Sequence, residues 1–128
     1  MYHVRMHADK QMDDDLVLEA VEVFRLLADE TRVRILCLLL DAELTVSEMA
    51  ERLDRPAPGI SQHLARLRRG RIVSARRDGT HVHYRLADDH AAQMVIDALR
   101  HAEHGQDDVP RHHRVDADTP VRAREFVR

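Results

Sequence analysis

TVSEMAERLDRPAPGISQHLARLRR, residues 45–69, is the stretch on which the fold turns. Thr45 and Glu48 stand three residues apart ahead of an apolar run. That is the spacing of a capping box, in which each side chain satisfies a backbone amide at the start of a helix. Val46, Met49, Ala50 and Leu53 give this two-turn helix its buried face. Residues 54–57 read as a turn. Pro58 suits the first turn of the next helix, where its missing amide hydrogen costs little. Ile60, Leu64 and Leu67 form that helix's inner stripe, leaving Ser61, Gln62, Ala65, Arg66 and Arg69 facing out.

Working outward, two β-like runs flank Asp78-Gly79, a favoured two-residue hairpin turn. In the second run Val82, Tyr84 and Leu86 alternate with His81, His83 and Arg85, so one face packs and the other meets solvent or a ligand. Upstream, Asp13, Asp14 and Asp15 can cap a helix carrying Leu16, Ala20, Val21, Phe24, Leu27 and Ala28, and a second helix runs from Thr31 to Leu40. Downstream, residues 88–104 carry Ala91, Met94, Val95, Ala98, Leu99 and Ala102 at helical period. Helix, turn, helix and hairpin together predict a mainly α winged helix-turn-helix. The expected divisions are a flexible arm over 1–14, the DNA-binding and dimerisation domain over 15–104 and a His-containing tail over 105–128.

Composition bounds the rest. A chain of 128 residues, 44% apolar and 34% charged with 3% aromatics and no Trp, can bury one modest aliphatic core. No apolar run approaches the ~20 residues of a membrane span and no signal peptide is evident, so a cytoplasmic protein is expected. The single cysteine, Cys37, lies on the stripe Val33, Leu36, Cys37, Leu40 and reads as core. The net charge of -3 conceals an asymmetry: residues 1–54 sum to -7, residues 55–86 to +7 and residues 87–128 to -3. A compact basic segment in an acidic chain is the footprint of a phosphate-binding face. The helix from Pro58 is expected in the major groove, with Ser61, Gln62, His63 and Arg66 as groove-facing candidates and Arg69 on the outward side. Arg76, Arg77 and the Gly79 tip are expected to reach backbone or minor groove. Gln suits the adenine edge and Arg the guanine edge, although either can hold phosphate.

The last helix carries a second signal. His90 and His101 share a face but lie about 16 Å apart along the axis, against metal-imidazole bonds of about 2 Å. They cannot share an ion within one chain. In an antiparallel pair of such helices, Asp88 and His90 of one subunit arrive beside His101 and His104 of the other, giving two equivalent four-ligand sites.

Residues 24–32, FRLLADETR, residues 60–67, ISQHLARL, and the Arg77-Asp78-Gly79 wing resemble the ArsR/SmtB transcriptional repressors over roughly residues 15–104. The resemblance implies a dimer, joined through its first and last helices, that occupies double-stranded operator DNA without metal and leaves when metal binds. The Asp-x-His-x10-His-x2-His ligand pattern of the zinc and cobalt sensors falls on Asp88, His90, His101 and His104. The thiolate site of the arsenite, cadmium and lead sensors has no counterpart, because Thr45 and Ser47 offer no thiolate. Glu103-His104 followed by Pro110-Arg111-His112-His113-Arg114 resembles the nickel/cobalt-sensing KmtR-type branch, whose ligands would fall on His90, Glu103, His104, His112 and His113. On an ideal helix Glu103 lies about 140° from His90, so this set needs a folded-back tail, which Gly105 and Pro110 would permit by ending the helix. Five or six nitrogen and oxygen donors suit Ni(II) or Co(II), and the four-residue set suits Zn(II). Two other readings are a metal-independent repressor and a His-rich metal store, the latter having no need of the basic winged segment. Catalysis would need an open coordination position and a cleft, and no enzyme is expected.

Overall fold

The structure, a computed structural model, describes residues 12–107. His112, His113, residues 1–11 of the expected arm and residues 108–128 of the expected tail lie outside the described residues. Five helices and one hairpin follow in the order α1 (Asp14–Leu27), α2 (Glu30–Leu39), α3 (Val46–Leu53), α4 (Ala57–Arg69), β1 (Val73–Asp78), β2 (His81–Leu86) and α5 (Asp89–Asp107).

Side-chain caps mark the starts of α1, α2 and α3. The Asp13 carboxylate accepts from the amides of Asp15 at 2.9 Å and Leu16 at 3.2 Å, and Asp29 accepts from Arg32 at 3.0 Å. The Thr45 and Glu48 box forms in both directions, Glu48 N–H donating to Thr45 Oγ1 at 3.2 Å and Thr45 N–H to Glu48 Oε1 at 2.8 Å. Helix α3 ends at Asp54 in the left-handed region, and α4 follows with Pro58 in its first turn.

Two boundaries differ from expectation. In the hairpin Asp78 pairs with His81, so the loop is Gly79-Thr80 and not Asp78-Gly79; Gly79 takes the positive φ of 66° that this turn requires. Helix α5 runs through Gly105 to Asp107, so Gly105 does not end it. A helical glycine costs only about 1 kcal/mol, too little to stop a helix by itself.

The core is aliphatic. Ile35, Leu36 and Leu39 of α2 meet Met49 of α3, Ile60, Leu64 and Leu67 of α4, Val73 of the wing, and Ala91 and Val95 of α5. Leu44 exchanges backbone hydrogen bonds with Tyr84 at 3.1 and 2.8 Å, tying the α2–α3 connection to the wing. Cys37 is buried, and burial pushes its thiol pKa up, which fits core packing and not metal binding.

Helix α1 is the exception. None of its residues is buried: Val23, Leu26 and Leu27 lean on the core, while Leu16, Val17, Leu18 and Phe24 are exposed. Gly70, just after α4, leaves no room for a Cβ beside the Leu26 side chain, so α1 lies close against the end of α4. No described helix is long and apolar enough to cross a membrane.

Candidate nucleic-acid interface and metal ligands

Helix α4 anchors by Ile60, Leu64 and Leu67, and this fixes what its other side presents. Ser61, Gln62, Arg66 and Arg69 are exposed on it, as are Arg77 and the Gly79 tip on the wing. The wing's register sorts its faces. Arg76 pairs with His83 and Asp78 with His81, so these four share one side, while Val73, Tyr84 and Leu86 turn to the core.

Two of the expected DNA contacts are already engaged within the chain. Arg76 Nε donates to Glu43 Oε1 at 2.7 Å, and this hydrogen bond is the main reason that the Glu43 carboxyl lies below its ordinary value. His63 is turned from the outward side and half-buried, its Nδ1 3.2 Å from Arg32 Nη1 and its Nε2 4.0 Å from Asp29 Oδ2. Neither partnership was legible from local pattern alone. Arg32 did carry a signal: it stands at i with Ile35, Leu36 and Leu39 at i+3, i+4 and i+7, on the buried stripe of α2.

The candidate metal ligands lie along α5. Asp88 precedes it and its Oδ1 accepts from Ala91 N–H at 2.9 Å, so this carboxylate caps the helix. His90 in the first turn and His101 and His104 in the last turns are exposed. Among the described residues, the three imidazoles have no hydrogen-bonding or ionic partner, which leaves their ring nitrogens available to a metal. Glu103 is half-buried and takes part in an interaction of its own. Among the described residues of one chain, no three His, Cys, Asp or Glu side chains converge as a metal site. Donors at both ends of a 19-residue helix would be brought together by a second chain or by residues beyond 107.

A winged helix-turn-helix with an exposed basic helix defines a DNA-binding regulator. The comparisons with known proteins agree. Residues 29–75 match the family described as bacterial regulatory protein, arsR family. The HTH-type transcriptional regulator KmtR of Mycobacterium tuberculosis is 54% identical over 112 residues, covering 85% of this chain and 86% of that protein. Among solved structures, HlyU from Vibrio cholerae superposes with a TM-score of 0.64 at 36% identity, over 69% of this chain and 96% of that one. A homodimeric winged helix-turn-helix DNA-binding domain from Mycobacterium bovis gives a TM-score of 0.69 at 29% identity, over 73% and 86% of the two chains. The chain belongs to the ArsR/SmtB family of DNA-binding transcriptional regulators, and is not an enzyme.

Proposed function

We propose that this chain is a repressor that binds operator DNA as a metal-free homodimer and releases it on binding Ni(II) or Co(II). The observation that carries the reading is that one chain holds both an exposed basic recognition helix and, at the two ends of its last helix, exposed imidazoles that have no partner among the described residues. Helix α5 also packs on the core through Ala91 and Val95, so a change in its position is felt by α2 and the wing. The uncovered apolar side of α1 supports the dimer.

The residues proposed to hold the effector are His90, Glu103 and His104 with His112 and His113 of the tail. Their nitrogen and oxygen donors suit octahedral Ni(II) or Co(II). When bound, the metal supplies a cross-link that biases the arrangement of the last helices. On the DNA side, Gln62 and Arg66 meet base edges or phosphates, Ser61 and Arg69 hold phosphate, and Arg77 with the Gly79 tip follows the adjacent backbone. Arg76 contributes there once it leaves Glu43. The alternative reading is a Zn(II)-responsive repressor using Asp88, His90, His101 and His104, for which Asp88 would lend the oxygen that does not cap α5.

One experiment separates these readings. Co(II) is titrated into the purified protein with a labelled duplex selected from a random pool by the metal-free protein, following d-d absorption and anisotropy together, with Ni(II) and Zn(II) in parallel. Weak high-coordination bands with release by Ni(II) or Co(II) are expected. Intense tetrahedral bands with release by Zn(II) favour the four-residue site, and no release by any divalent ion favours a metal-independent repressor.

A further inference from the structure

Arg32 is the one buried charged side chain among the described residues, at 6% exposure. Its Nε donates to Leu26 O at 2.7 Å and its Nη2 to Arg25 O at 3.1 Å, two carbonyls in the last turn of α1. The remaining edge of the guanidinium, Nη1, stands 3.2 Å from Nδ1 of His63 on the recognition helix α4. A guanidinium only donates, so Nδ1 must accept, and a neutral ring then carries its proton on Nε2. That nitrogen faces Asp29 Oδ2 at 4.0 Å. Asp29 in turn caps α2 by accepting from the Arg32 amide, the main reason that its carboxyl lies below the ordinary value. The end of α1, the start of α2 and the middle of α4 therefore meet at one hydrogen-bonded joint.

We propose that His63 is a positioning residue and not a base reader: as a neutral imidazole accepting from Arg32, it fixes the roll of α4 against the end of α1. The helix with the uncovered apolar side and the helix that presents Ser61, Gln62 and Arg66 then move as one piece. This rests on the reading of α4 as recognition helix and α1 as dimer helix. The groups facing the ring are Arg32 and Asp29 from the start of α2, while α1 contributes only backbone carbonyls to the joint. Adding a proton to His63 sets an N–H against the guanidinium, removes the acceptor and places like charges side by side.

The test uses the full-length protein. Ring nitrogen-15 shifts of His63 in the DNA-free protein at about pH 7.5 report the tautomer directly. An unprotonated Nδ1 is expected, and a protonated Nδ1 overturns the proposal. Anisotropy with the selected duplex is then compared at the same pH for wild type, His63→Asn and His63→Ala. Asn offers Oδ1 as an acceptor in much the same place and is expected to keep wild-type operator affinity. His63→Ala should bind the operator about tenfold more weakly, the cost of leaving a charged donor unpaired. Wild-type affinity in His63→Ala, or the same loss in His63→Asn as in His63→Ala, sinks this proposal alone. Failure of the wild type to bind any duplex sinks the functional reading, and this proposal with it.

Discussion

Phe24→Ala should dissociate the dimer. On α1, Val17, Val21 and Phe24 recur at i, i+4 and i+7, beside the stripe of Val23 and Leu27 that touches the core. Phe24 is 68% exposed in the single chain. Phenylalanine buries about 200 Å², so roughly 130 Å² of this ring is available to a partner. At about 25 cal/mol per Å², covering it is worth about 3 kcal/mol per protomer as an upper bound. A two-fold dimer loses the contact twice, so about 6 kcal/mol, or roughly 10⁴-fold in the dimer dissociation constant, is at stake. Sedimentation velocity across a concentration series reads that shift, with helical circular dichroism as the check that the fold survives. Phe24 is not part of the aliphatic core, so the monomer should remain folded. A dissociation constant within tenfold of wild type would refute the assignment of this face to the dimer.

Three further substitutions separate the parts of the account. His104→Ala should abolish the metal response while metal-free DNA binding stays at the wild-type level, as read by anisotropy with and without Ni(II); loss of both would make His104 structural. Arg66→Ala should do the reverse, lowering operator affinity by about 1–3 kcal/mol if it reads a base, with metal affinity by competition titration unchanged. Asp29→Ala removes the cap of α2 and should cost about 1 kcal/mol in denaturant unfolding at neutral pH. Because the folded Asp29 carboxyl lies below its ordinary value of 3.8, its contribution is present above that pH and fades as the carboxyl protonates below it. The gap between wild type and Asp29→Ala should therefore narrow in acid; a constant gap would show that the carboxylate charge is not what the cap uses.

Local signals carried most of the fold. Thr45 and Glu48, Asp13, Pro58 and the inward Tyr84 and Leu86 each act through bonds or packing within a few residues, and each appears in the structure where the pattern placed it, whereas Val82 is no more buried than His83 beside it. The departures have causes that act over longer range. Whether the hairpin loop is Asp78-Gly79 or Gly79-Thr80 depends on the register that packs Tyr84 beside Leu44, and whether α5 stops at Gly105 depends on more than one glycine. The proposed DNA face was legible as exposed positions on α4, because Ile60, Leu64 and Leu67 fix that helix's rotation. The inward turn of His63 was not, since Arg32 lies 31 residues away in sequence. The proposed metal ligands were legible as spacing only: a helix fixes which imidazoles share a face, whereas the proposed site needs contacts that one chain's helix cannot make with itself.

The central claim is that metal and operator oppose one another on the same dimer. By linkage, if Ni(II) or Co(II) weakens operator binding by a given factor, operator must weaken metal binding by that same factor; each tenfold corresponds to about 1.4 kcal/mol of coupling per dimer. The most direct measurement is therefore the Ni(II) affinity of the free dimer and of the operator-bound dimer, by competition with a chelator under one set of conditions. The account predicts weaker metal binding in the operator complex, by the factor read independently from anisotropy. Equal affinity in the two states would contradict it, whatever the ligands prove to be.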